Sequence, residues 1–253
     1  MGLAHLLKIK DLTVTIAGKE VLSGIDLEIK KGQRLALLGP NGSGKTSLLM
    51  AILGFSDYKV TRGDIIFRGK RINGLTIDER ARLGIGIMFQ RPPTVRGVKI
   101  RQMAELISKS DFDIEKEAGE LNLKEFLDRD INLGFSGGEL KRSELLQLLS
   151  CSPRFSLFDE PESGVDLENI ALVGKVMNRL LDRDKDNAAL IITHTGYIFD
   201  YVRADTGAIL VGGRLHCMGQ PRDILETVKR HGYEWCITCE GERLKSKSHQ
   251  IKK

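Results

Sequence analysis

One octapeptide limits the folds open to this chain more than any other feature. Gly39-Pro40-Asn41-Gly42-Ser43-Gly44-Lys45-Thr46 matches G-x-x-x-x-G-K-[ST] at every defined position. Leu35-Ala36-Leu37-Leu38 before it reads as a buried strand. Ser47-Leu48-Leu49-Met50-Ala51-Ile52-Leu53 after it reads as a helix. A strand, a glycine-rich loop and a helix in that order make an anion cradle. The loop turns backbone N–H groups onto phosphate oxygens, and the new helix adds its positive end. Lys45 is placed to reach the β- and γ-phosphates, and the Thr46 hydroxyl to ligate Mg²⁺. The chain is therefore expected to bind a nucleoside triphosphate on a parallel-sheet α/β core.

Composition agrees with a folded α/β protein. The 253 residues are 41% hydrophobic and 29% charged, which is ordinary for a globular chain able to bury a sizeable core. No apolar run reaches the ~18–20 residues that span a bilayer. The N-terminus enters a strand pattern directly, so no signal peptide is expected. Net charge is +5, but residues 240–253 hold five basic side chains against two acids. This short polar tail is read as flexible, and no nucleic-acid role is expected of it. Cys151, Cys217, Cys236 and Cys239 do not form a secreted disulfide framework, and a cytoplasmic location is expected. Cys236 and Cys239 form a C-x-x-C without a second pair, so free thiols are expected ahead of a zinc site.

The first segments alternate apolar and polar residues. Leu7, Ile9, Leu12, Val14 and Ile16, then Ile25, Leu27 and Ile29, then Ile65-Ile66-Phe67, predict an antiparallel sheet with one solvated face. Three later apolar runs end in polar residues: 85–89 at Gln90, 155–158 at Asp159-Glu160, and 189–192 at Thr193-His194. Such runs predict parallel strands buried on both faces. Ligands of open α/β sheets collect at the carboxyl ends of these strands, so Lys45, Gln90, Asp159, Glu160 and His194 are expected to converge. Residues 98–150 read as mostly helical, 207–218 as a hairpin, and Pro221 to His231 as a closing helix.

Two of the strand ends carry chemistry. Asp159 is placed to hold Mg²⁺, usually through water. Glu160 is placed to polarise the water that attacks the γ-phosphate. Ser136-Gly137-Gly138-Glu139 opens a helical run, which reads either as a second anion site or as a glycine-rich turn with a serine cap.

The order and spacing of these residues resemble the ATP-binding cassette family. Gly39 to Thr46, Gln90, Ser136 to Glu139, Asp159-Glu160, Ser163-Gly164-Val165-Asp166 and His194 look like its Walker A, Q-loop, signature, Walker B, D-loop and H-loop. The resemblance implies one cassette domain over residues 1–239. Residues 1–90 and 151–239 would form the α/β core with an antiparallel β subdomain, and about 91–150 an inserted helical subdomain. It implies an ATPase with ATP and Mg²⁺ as cofactors. Glu160, His194 and Gln90 would be catalytic, and Thr46, Gln90 and Asp159 would hold the metal. Gly39, Pro40, Asn41, Gly42, Ser43, Gly44, Lys45, Thr46 and Ser47 would bind one face of the nucleotide. Ser136, Gly137, Gly138, Glu139 and Asp166 would act on the nucleotide of a second subunit, in an ATP-dependent homodimer.

Finer wording resembles the SufC branch, the ATPase of SUF iron–sulfur cluster assembly. That wording is Asp57 to Gly63, Ile131 to Arg142, Ser163 to Asp166 and Gly232-Tyr233-Glu234-Trp235. This branch implies a SufB/SufD-type scaffold as partner, without membrane insertion or nucleic acid. The alternative is the nucleotide-binding subunit of a membrane transporter. Glu139 stands where glutamine is commoner, Glu160-Pro161-Glu162 is more transporter-like, and no aromatic near Ile16-Ala17-Gly18 is placed to stack on adenine.

Overall fold

The computed structural model describes residues 5–108 and 111–237. Strands β1 (His5–Ile16), β2 (Lys19–Lys30), β4 (Lys59–Phe67) and β5 (Lys70–Arg71) form a four-stranded antiparallel sheet in the order β2-β1-β4-β5. A six-stranded sheet contains β3 (Arg34–Leu38), β6 (Ile85–Met88), β9 (Phe155–Asp159), β10 (Ala188–Ile192), β11 (Thr206–Val211) and β12 (Arg214–Gly219). Its order is β12-β11-β3-β10-β9-β6. All its pairs are parallel except the β11–β12 hairpin. The expected α/β cassette fold, with an antiparallel sheet beside a parallel one, is present.

The two-residue period of a strand divides this sheet between two cores. Leu35 and Leu37 of β3, Leu157 of β9 and Leu190 of β10 face the core shared with the antiparallel sheet and helix α1 (Lys45–Leu53). Ala36, Leu38, Phe158 and Ile191 face the opposite core. That second core is closed by helices α5 (Gly137–Cys151), α6 (Leu167–Asp182) and α7 (Pro221–His231). Burial on both faces is why these strands read as continuous apolar runs.

Between β6 and β9 lie helices α3 (Ile100–Ile107) and α4 (Ile114–Glu120), followed by α5. This stretch also holds a small antiparallel pair, β7 (Val95–Lys99) with β8 (Asp130–Ile131), the second of which lies within the mostly helical residues 98–150. Strand β8 has only two residues, too few for a readable alternation. Helix α2 (Ile77–Arg82) is short and opens with a capping box between Thr76 and Glu79. Its Arg80 is buried. The guanidinium donates to the carbonyls of Ala51 and Ile52 at the end of α1, and to those of Asn73 and Leu75. The Ala51 carbonyl also accepts from the C-cap Gly54 N–H at 3.3 Å, and Arg80 adds a side-chain cap to this end of the phosphate-loop helix from outside. The expected tail, residues 240–253, and Cys239 lie outside the described residues.

Candidate functional site

The glycine-rich loop leaves β3 at Leu38 and enters α1 through Gly44, whose φ of 104° suits glycine. The loop is fixed on several sides. Ser43 N–H donates to Pro40 O at 3.2 Å, and Gly213 N–H donates to Ser43 O at 3.0 Å. A Cβ on Gly39 would stand 2.2 Å from the Leu210 carbonyl oxygen. Lys45 is folded back, its Nζ donating to Gly39 O and Pro40 O at 2.9 Å each. Burial lowers the affinity of its ammonium for its proton, and the charges of Glu160 and Asp159 oppose that shift. The Ser43 hydroxyl is buried without a hydrogen-bond partner among the described residues.

Loop and helix form one wall of a cavity of about 540 Å³. Asn41, Gly42, Gly44, Lys45, Thr46 and Ser47 line it from below, Gln90 and Glu160 from one side, and Lys19 to Ser23 with Gly212 and Gly213 from the other. No aromatic side chain lines it.

The strand ends meet as expected. Asp159 closes β9, and its Oδ2 accepts from the Thr46 hydroxyl at 3.3 Å. The next residue, Glu160, takes a left-handed backbone with φ of 49°, a strained conformation for a non-glycine residue. Its carboxylate has two partners. Gln90 Nε2 donates to Oε2 at 2.6 Å, and His194 Nδ1 lies 3.1 Å from Oε1. Burial raises the Asp159 carboxyl above the usual range, and the charge of Glu160 adds to the shift. Thr46, Asp159 and Gln90 supply hard oxygen donors beside a concentrated negative charge, which suits Mg²⁺. Three His, Cys, Asp or Glu side chains do not cluster for a metal anywhere among the described residues.

The signature residues stand apart. Ser136 caps α5 and its hydroxyl accepts from Glu139 N–H, while the Glu139 carboxylate accepts from Ser136 N–H at 2.7 Å. Gly137 abuts the D-loop: a Cβ there would lie 2.1 Å from the Gly164 carbonyl oxygen. Asp166 caps α6 by accepting from Asn169 N–H. None of Ser136, Gly137, Gly138, Glu139 and Asp166 lines the cavity.

Two buried residues of α5 were not singled out from sequence. Lys141 Nζ donates to the carbonyls of Phe89, Gln90 and Glu160 at 3.0, 3.1 and 3.2 Å. Glu144 accepts from Phe89 N–H at 3.0 Å, and burial pushes its carboxyl up to about 7. The signature helix thus grips the backbone on which Gln90 and Glu160 sit. The available signal was an opposite-charge pair, three residues apart, on the face that carries Leu145, Leu148 and Leu149.

Comparison with known proteins agrees with this geometry. A family model described as ABC transporter matches residues 22–163. A probable ABC transporter ATP-binding protein of Streptococcus pyogenes serotype M3 is 37% identical over 242 residues, covering 90% of this chain and 93% of the relative. Vegetative protein 296 of Bacillus subtilis is 35% identical over 249 residues, covering 92% and 93%. A probable ATP-dependent transporter of Synechocystis is 35% identical over 246 residues, covering 91% and 95%. Among solved structures, an ATP-bound bacterial Atm1-family ABC exporter superposes with a TM-score of 0.75 at 21% identity, covering 92% of this chain and 41% of the exporter chain. The ADP conformation of the ATP-binding cassette MJ1267 gives a TM-score of 0.72 at 23% identity, covering 90% and 95%. At these identities the superpositions speak for the fold alone.

Proposed function

Because this chain belongs to the ABC transporter family and carries its ATPase cassette, we propose that it is the nucleotide-binding subunit of a transporter, converting ATP hydrolysis into movement of a membrane partner. The relatives named as transporter ATP-binding proteins support this partner class. No helix among the described residues is long and apolar enough to cross a membrane.

The observation that carries the ATPase assignment to residues is the meeting of Gln90 and His194 on the Glu160 carboxylate at the wall of the phosphate-loop cavity. In the proposed reaction the loop N–H groups and Lys45 hold the phosphates, Lys45 leaving its two loop carbonyls for phosphate oxygens. Thr46, Asp159 and Gln90 would hold the metal, which when bound would supply neutralisation of the phosphate charge. Glu160 orients the attacking water and takes its proton, and His194 faces the γ-phosphate from the end of β10. Ser136, Gly137 and Gly138 complete the site on a second copy, because they lie outside the cavity of their own chain. Two nucleotides then hold two copies together, and hydrolysis removes the charge that both grip.

A second reading, a motor for iron–sulfur cluster assembly on a SufB/SufD-type scaffold, rests on the SufC-like wording of residues 131–142 and 232–235. Affinity purification of the tagged chain from its native cells separates the two. A polytopic membrane protein recovered in stoichiometric amount supports the transporter reading. A soluble iron-carrying β-helical protein supports the second, and nucleic acid released steeply by salt would contradict both.

A further inference from the structure

Glu162 is almost completely buried, at 5% exposure, two residues past the sharp turn at Glu160. A carboxylate in that position is costly unless its oxygens are used. Only one of them is. Oε1 accepts from the Thr193 hydroxyl and, at 2.8 Å, from the Thr195 hydroxyl. Oε2 is buried with no hydrogen-bond partner among the described residues. The two threonines flank His194 in the chain. Thr193 Oγ1 also accepts from Gly196 N–H at 2.8 Å, and Thr195 Oγ1 from Tyr197 N–H at 3.4 Å. The residues on both sides of His194 therefore share a single carboxylate oxygen, beside the backbone bond from Glu160 N–H to Ile192 O at 3.1 Å. The imidazole itself is 45% exposed, so packing does not hold it, yet it stands 3.1 Å from Glu160.

We infer that Glu162 is a positioning residue for His194: it ties the segment that follows β10 to the segment that carries Glu160, and so sets the imidazole against the reacting groups. The same carboxylate precedes the D-loop, residues 163–166, whose Ser163 N–H donates to Glu160 O at 3.0 Å. A shift of the D-loop would reach His194 through Glu162. This inference rests on the ATPase reading of Glu160 and His194.

The test is a set of kinetic cycles on the full chain with MgATP. Glu162→Ala is expected to lower kcat about tenfold to a hundredfold, the effect of a misplacement on the order of 1 Å, with little change in KM. Glu162→Gln keeps an acceptor oxygen for both hydroxyls and is expected to stay within about threefold of wild type, since a neutral side chain still makes both bonds. The deciding readout is the His194→Ala background, where Glu162→Ala is expected to cause no further loss, because residues acting as a unit are not additive. Equal loss in both backgrounds overturns the inference, as does wild-type kcat in a folded Glu162→Ala chain. If Glu162→Ala does not fold, Thr195→Val, which keeps shape and removes one donor, enters the same cycle with the same two outcomes. The ATPase reading fails separately: in that case Glu160→Gln turns over at the wild-type rate, or wild type does not hydrolyse ATP.

Discussion

Replacing Arg80 by Met is expected to destabilise the cassette although Arg80 touches neither the cavity nor any residue named above for catalysis. Four backbone carbonyls, those of Ala51, Ile52, Asn73 and Leu75, accept from its guanidinium at 2.8 to 3.0 Å. The side chain is 2% exposed. Bonds to a charged donor contribute about 1.5–3 kcal/mol and orphaned buried acceptors cost about 1–3 kcal/mol each. Relief from burying a guanidinium, itself worth several kcal/mol, offsets part of this. The net expectation is a loss of about 3 kcal/mol, a large share of the 5–15 kcal/mol typical of a folded domain. In a chain of this length that corresponds to a fall in Tm on the order of 10 °C. Arg80→Lys is expected to recover only part of it, because an ammonium is a single point of donation and cannot span the end of α1 and the loop together. Urea unfolding followed by circular dichroism gives the difference. A loss under about 1 kcal/mol for Arg80→Met, with an unchanged m-value, would refute the capping argument, because such a value is that of an ordinary surface substitution.

Other outcomes follow from the same contacts. Lys45→Ala removes the side chain that bridges Gly39 and Pro40 and is expected to abolish productive MgATP binding while leaving the circular dichroism spectrum unchanged; isothermal titration checks it. Glu144 holds its proton in the folded state up to about pH 7, whereas an unfolded chain releases it near the ordinary carboxylate value. Its contribution is therefore present in full at low pH and lost as pH rises through 7. Between pH 5.5 and 8 the Tm of wild type is expected to fall further than that of Glu144→Gln, and parallel pH profiles would contradict the assignment.

The sequence made the core legible for a physical reason. Strands buried on both faces show as apolar runs, and the polar residue that follows each run marks its carboxyl end, as at Gln90, Asp159-Glu160 and His194. The turn chemistry of Gly39 to Thr46 is local and needs no tertiary knowledge. Arg80, Lys141, Glu144 and Glu162 stayed hidden because their partners are backbone groups or hydroxyls far away in sequence: Arg80 meets Ala51, Glu144 meets Phe89, and Glu162 meets Thr193. A charged residue in a helix or turn reads as solvated until the fold buries it. The β7–β8 pair escaped for the opposite reason, being too short to carry a period.

The composite site is the central claim, and mixing two defective subunits tests it most directly. Lys45→Ala disables the phosphate loop. Gly138→Asp places a carboxylate in the signature turn, where the nearest atoms to a Cβ are those of the Asn169 side chain, at 3.0 to 3.3 Å. Each variant alone is expected to be nearly inactive. In an equimolar mixture, the intact loop of the Gly138→Asp subunit faces the intact signature of the Lys45→Ala subunit, and one working site per heterodimer is expected to hydrolyse ATP. Full activity of Gly138→Asp alone, or a mixture of two folded subunits that recovers neither hydrolysis nor ATP-dependent dimerisation, would contradict the account.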